Sequence, residues 1–387
     1  MKLLPLAYLC ATSLAWGAAP LSPEMTLPEI EAALQAYPPS IANVLERGQI
    51  AQSLDKQVRL AVKQDISDEQ VAELVPLRDM YLRQVDRRLK ALEEAKVTEG
   101  GQIFKFYSSS VILKSKDGVV AIDFQQGPHV TYCGNIDKPD PVAARTGFHW
   151  SPEQLERLAN IVDVSLITHA HADHADSDLS RLLLAKGKTV VLLQQLKNLW
   201  ASLGGNMVVP TYGTAQKFGP VEIFTTVGAQ YMQNNKAVID DKGEAIGYPS
   251  ADPKVEDAET VVYLARVGDI VFLQAAENNV VVDDWLLDGT SKGFRPDVKM
   301  SVGARQGARG IGAVLKAMGP VFYLPIHEYE MGHGGGGNRT AGNFDGSRQK
   351  LIEKGLMMPL FWGETFRLTP ADLPWRAKTT ASLSGQR

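Results

Sequence analysis

The stretch Thr168-His169-Ala170-His171-Ala172-Asp173-His174 constrains this chain more than any other feature of it. It follows directly on Val162–Ile167, a short, largely apolar run that reads as a buried strand. Four potential metal ligands therefore sit together at the carboxyl end of a strand. In an extended loop, residues two apart project to the same side, so His169 and His171 can share one metal. Asp173 and His174 are expected to open the next helix and to face a second metal from its first turn. Imidazole and carboxylate suit zinc, and also iron or manganese. The chain has only 7 His in 387 residues, so a chance cluster of three is improbable.

The surrounding pattern alternates helices and strands. Residues 20–97 read as helical, with helices over about 28–36, 40–62 and 67–96. Ser67 and Gln70 carry the signature of a capping box, and Pro76 is expected to kink the third helix or move its start. Strands are predicted at 103–107, 110–114 and 119–123, the last ending in Asp123. Ser151-Pro152-Glu153-Gln154 opens a further helix. Later strands are predicted at 189–193, 221–226, 260–266 and 270–273, with a final pair at 321–324 and 366–368. Helices are predicted at 176–185, 307–318 and 343–354. This order suits two sheets covered by helices.

Composition narrows the function classes. A chain that is 44% hydrophobic and 22% charged is neither disordered nor collagenous. A net charge of −4 offers no basic field, so general nucleic-acid binding is not expected. Residues 1–19, MKLLPLAYLCATSLAWGAA, read as a secretory signal peptide cut between Ala15 and Ala19. The apolar run is too short to span a membrane, and no later stretch is long enough, so no span is expected after cleavage. The expected location is periplasmic or secreted. Cleavage would leave Cys133 as a lone cysteine, unable to form an internal disulfide.

Residues 168–174 match in full the T-H-x-H-x-D-H signature of the metallo-β-lactamase superfamily, and residues 102–369 resemble that superfamily as a whole. The resemblance implies an α/β fold, a four-layer αββα sandwich, here with an added helical segment at 20–97 and a tail at 370–387. It implies that Asp123 ends a strand beside the metal loop, positioning a ligand imidazole or the water. It also implies that His327, in Tyr323-Leu324-Pro325-Ile326-His327, is the last metal ligand. The neighbourhood of Pro325-Ile326-His327 is similar to the ascorbate-phosphate-lactonase-like branch.

The sequence departs from that pattern twice. No His occurs between His174 and His327, and Gln230 stands nearest to where the superfamily has one. No Gly-Asp pair ends the strand at 270–274, and Glu277 is the nearest carboxylate. Three sites are open on these residues: one metal held by Asp173, His174 and His327, two metals with Glu277 bridging, or a partial site without activity. His333, His129 and Arg339, the last beside the run Gly334–Gly337, are candidates for substrate contact. Arg305 and Arg309 are candidates for anion binding, and His149 reads as structural. The resemblance implies an exported hydrolase holding one or two zinc ions, with iron or manganese as alternatives. A water bound to the metal would attack an ester, lactone, phosphodiester or related bond of a small molecule. The competing reading is a binding protein that keeps the fold and a partial metal site.

Overall fold

The computed structural model describes residues 21, 24–57, 67–128, 145–170, 173–229, 259–274, 283–302, 321–326, 356–373 and 375–376. Among these, one sheet begins with β1 (Gly101–Lys105), β2 (Val111–Lys114) and β3 (Val119–Ile122), joined as antiparallel neighbours. β1 lies two residues earlier than expected and β2 starts one residue later, because residues 106–110 make the turn. Phe106 N–H donates to Ser110 O, Ser110 N–H donates to Tyr107 O, and Ser108 has φ 45°. From β3 the chain crosses over through α4 (Pro152–Ile161) to β4 (Val164–Leu166), then through α5 (Ser177–Ala185) to β5 (Thr189–Val191). A short α6 (Gln194–Leu199) leads to β6 (Asn206–Val208). These strands pair in parallel, as crossover connections require, and the register sets Ile122 beside Leu166.

The second sheet runs β7 (Ala215–Phe218), β8 (Val221–Ala229), β9 (Glu259–Val267) and β10 (Ile270–Gln274) as antiparallel neighbours. It continues in parallel through β11 (Val298–Val302) and β12 (Phe322–Ile326). The strand β13 (Thr365–Leu368) crosses back to pair with β1. The expected final pair is therefore corrected: β12 and β13 belong to different sheets. The strands β6, β7 and β11 and the helices α6 and α7 (Asp283–Ser291) had no sequence forecast. Edge strand β7 reads Ala-Gln-Lys-Phe and is exposed at every second residue, so it gives no apolar run to detect.

Side-chain alternation explains the layers. Ile223, Tyr263, Ala265, Ile270 and Phe272 share one core with Ile103, Leu113 and Val120 of the first sheet. A Cβ on Gly101 would touch Ile270 and Phe272, so β1 lies against β10. The alternate residues Phe224, Leu264 and Leu273 are also buried, on the opposite face. There α7 closes down, with Gly289 so near that a Cβ would sit 2.7 Å from Leu264. All four residues of β3 are buried, so both faces of the first sheet are covered. Its outer cover includes α4 and α5, which contribute Leu158, Leu179 and Leu183 to the core. The result is a four-layer αββα sandwich, as expected.

The N-terminal helices α1 (Leu27–Ala36), α2 (Val44–Gln57) and α3 (Asp68–Glu94) belong to that same body. Leu74, Leu77, Tyr81, Val85, Leu89 and Leu92 recur at helical spacing along α3 and are buried. Ser67 caps it as expected, accepting the Gln70 N–H at 3.3 Å. Pro76 does not move the start of the helix. Pro76 and Ala72, whose carbonyl the proline leaves without a donor, are both exposed, so the break falls on the outward side of the helix.

One buried ion pair fixes α2. Arg47 is 3% exposed and Glu364 7%. The guanidinium donates to both carboxylate oxygens of Glu364, to Tyr37 O at 2.8 Å and twice to Pro359 O. All five of its N–H groups have an acceptor, the condition under which burying a charge is tolerable. Removing one partner leaves the other charge buried alone. Arg47→Ala is expected to lower the unfolding free energy by about 3–5 kcal/mol in urea denaturation, and Arg47→Lys to recover only part of it, because an ammonium lacks the planar fork.

Candidate metal centre

Parallel pairing of β3 and β4 brings two loop starts side by side at the carboxyl edge of the sheet, where open α/β sheets hold their ligands. One start is Asp123. Its backbone turns into the left-handed region, φ 45°, a conformation that Asp tolerates better than most residues. Its N–H donates to Leu166 O at 3.0 Å, and its side chain is fully buried.

The Asp123 carboxylate collects donors from three directions. Oδ1 accepts the Thr168 N–H at 2.7 Å and lies 2.9 Å from Thr168 Oγ1. Oδ2 accepts from Gln274 Nε2 at 2.6 Å and lies 3.0 Å from His174 Nδ1. A carboxylate only accepts, so His174 carries its proton on Nδ1 and turns Nε2 outward. Thr168 gives its hydroxyl proton to Asp123, and its oxygen can then accept from His169 Nδ1, 3.0 Å away. The same assignment leaves a lone pair on His169 Nε2.

These orientations converge. His169, Asp173 and His174 are 2%, 5% and 0% exposed, and each can offer one ligand atom within 4.8 Å of the others. The imidazole centroids are 3.9 Å apart. His174 Nε2 stands 3.5 Å from Asp173 Oδ2. A ring-nitrogen lone pair facing a carboxylate oxygen at that distance is repulsive unless a proton or a cation lies between them. Two imidazoles and a carboxylate are a donor set that fits a divalent metal.

The loop is anchored from both sheets. Tyr263 hydroxyl donates to Ile167 O at 2.8 Å, and Val261 N–H donates to Thr168 O at 2.7 Å. Ser109 Oγ lies 3.2 Å from Asp123 O and is also hydrogen-bonded to Asp173 O. Asp173 and His174 do not open α5, contrary to expectation. They form the turn before it, because Asp176 takes the capping position and accepts the Leu179 N–H at 2.8 Å. Burial and the nearby Asp178 carboxylate push the Asp176 carboxyl up to about 7.

Of the residues expected from sequence, Asp123, His169, Asp173 and His174 are brought together here. His171, His327, Glu277, Gln230, His333, Arg339, His129, Cys133, Arg305 and Arg309 lie outside the described residues, as do residues 1–19 and the forecast helices at 307–318 and 343–354. His149 is half-buried and lines an open groove with Trp150 and Arg181, apart from the cluster. Sequence reading missed Gln274, Ser109 and Tyr263. Gln274 left one signal, a lone amide ending a strand otherwise made of Ile, Val, Phe and Leu.

No family model and no curated protein matches the sequence. The chain is similar to several solved structures. One is a possible metal-dependent hydrolase from Veillonella parvula, with 17% identity and TM-score 0.45, over 70% of this chain and 100% of that one. Another is an isothiocyanate hydrolase from Delia radicum gut bacteria, with 16% identity and TM-score 0.43, over 69% and 99%. A third is a metallo-β-lactamase fold protein from Bacillus subtilis, with 13% identity and TM-score 0.39, over 70% and 100%. These are likenesses of chain path at low identity. The chemistry of this chain rests on its own side chains.

Asp123→Asn tests the hub. Asn also tolerates the left-handed backbone, so strain is not added. The amide has one acceptor oxygen for the donors of Thr168, His174 and Gln274. Chelator-treated protein carrying Asp123→Asn is expected to lose about 2–3 kcal/mol of unfolding free energy in urea. A loss below about 0.5 kcal/mol would show that the carboxylate is not the hub.

Proposed function

We propose that this chain is a metal-dependent hydrolase of a small molecule, with His169, Asp173 and His174 in the metal site. The observation that carries the reading is the buried cluster itself: two imidazoles with Nδ1 engaged beside one carboxylate, with His174 Nε2 3.5 Å from Asp173 Oδ2. Zinc is the proposed ion, with iron or manganese as alternatives on the same donors. His171 and His327 are proposed as further ligands, and Glu277 as a bridge if two ions bind. A divalent ion held there supplies Lewis acidity and brings the pKa of water toward neutrality.

The chain's own residues do the rest. Asp123 fixes the tautomer of His174, and Thr168 that of His169, so both present Nε2 without rearrangement. Ser109, Tyr263 and Val261 hold the loop by its carbonyls, which keeps that geometry preorganised. Asp173 is placed to orient a nucleophilic water by accepting its hydrogen bond. The bond cleaved is proposed to be an ester, lactone, phosphodiester or related linkage. His333, His129 and Arg339 are proposed to contact substrate. One observation favours a second reading, a binding protein with a partial site: β10 ends in an amide, Gln274, which is already committed to Asp123.

Elemental analysis decides between these. At least one divalent ion per chain is expected, lost on His174→Ala. Two ions, of which Glu277→Ala removes at least one, would support the bridged site. A panel of lactones, phosphodiesters, thioesters and β-lactams, assayed with and without chelator, then assigns the bond. No bound metal under any loading would overturn the hydrolase reading, and metal without turnover would favour the binding protein.

We also propose export to the periplasm or beyond, on the signal-like residues 1–19. Among the described residues no helix is long and apolar enough to cross a membrane. N-terminal sequencing of the mature chain is expected to begin between residues 16 and 19.

A further inference from the structure

Gln126 lies three residues after Asp123 and is 1% exposed. Each of its polar groups has a distant partner. Its main-chain carbonyl accepts from the Tyr81 hydroxyl of α3. Its Oε1 accepts the Trp150 N–H at 3.2 Å. Its Nε2 donates to Asp176 Oδ2 at 3.0 Å and to Asp178 Oδ2 at 3.1 Å. Asp176 follows His174 by two residues and spends its other oxygen capping α5. The turn carrying Asp173 and His174 is thus gripped at both ends by one loop: Asp123 holds the imidazole, and Gln126 holds the cap.

Tyr81 extends the linkage into the N-terminal helices. Its hydroxyl also accepts from Trp150 Nε1 at 2.9 Å. Its ring is fully buried against Tyr107, Phe148 and Trp362, with centroids 5.3–5.9 Å away. Burial raises the phenol pKa, so the hydroxyl stays a donor. The aromatic packing fixes where that donor stands, and the donor fixes the height of the Gln126 backbone.

We propose that Gln126 is a positioning residue for the metal centre, and that α3 acts on the centre through Tyr81, Gln126 and Asp176. The inference rests on the metal-site reading above. It makes the N-terminal helical segment part of the machinery that sets ligand geometry.

The test uses the full chain and Co2+ as probe, read by its d–d absorption band and by its dissociation constant. Tyr81→Phe keeps the ring and removes only the hydroxyl. Gln126→Met keeps the volume and removes the amide. Both are expected to weaken Co2+ binding about 10-fold or more and to shift the band, the size seen when groups behind metal ligands are lost. The swap Gln126→Glu with Asp176→Asn keeps the number of carboxylates, reverses the donor and acceptor, and leaves a good capping residue at 176. It is expected to restore affinity to within about 3-fold of the parent and to restore the band, which a loss of packing would not predict. If the parent binds Co2+ and both single variants bind it with unchanged affinity and band, the proposal is overturned while the metal site stands. A swap no better than Gln126→Met also overturns it. Should Gln126→Met fail to fold, Tyr81→Phe and the swap decide on the same criteria. A parent that binds no Co2+ overturns the metal reading and this inference with it.

Discussion

A single buried carboxylate organises the centre of this molecule. Asp123 sits at a left-handed joint between strand and loop, where it meets donors from its own sheet, from the facing sheet and from the candidate metal loop. Burying a charge there is tolerable only because the donors are present in full. The dependence runs both ways. The joint orients His174, and the partners of Asp123 are placed by pairing β3 with β4 and by stacking β10 against the first sheet. Ligand geometry and sheet packing are therefore one arrangement.

The N-terminal helices extend it. They contribute to the same core as the sheets and bring charge and hydroxyl groups to defined places. Arg47 locks α2 to the turn before β13, and Tyr81 locks α3 to the loop after Asp123. Gly363 marks how close the approach is: with φ 75°, it sits where a Cβ would stand 2.5 Å from Cβ of Gln84 on α3.

How much of this was legible in the sequence depended on how local each cause is. The capping boxes at Ser67 and Ser151 are complete within four residues, and both helices start where those residues say. The candidate metal loop was visible because its potential ligands are contiguous, and Asp123 because a recurrent pattern places an acid there. The ion pair of Arg47 was invisible, since nothing near residue 47 announces an acid at 364. Gln274, Ser109 and Tyr263 were invisible for the same reason: each acts on residues far from it in sequence, Gln274 and Tyr263 across a sheet boundary. The misplacement of Asp173 and His174 had another origin. Asp176 caps α5, and Asp173 and His174 are held in the turn before it by the bonds from Ser109 Oγ to Asp173 O and from His174 Nδ1 to Asp123 Oδ2, which no local pattern announces. Pro76 leaves the start of α3 where the Ser67 cap sets it, with Pro76 and Ala72 both exposed, a placement that sequence alone does not state.

The span of the Arg47–Glu364 contact has a consequence for how the chain comes into being. The partners are 317 residues apart, so α2 is synthesised long before its anchor exists. Until the turn at 359–364 has emerged, that guanidinium has no buried carboxylate to meet, and the helices around it have only part of their core to cover. Closure of the N-terminal layer is therefore a late event that waits on nearly the whole polypeptide, as contacts of such sequence separation dictate.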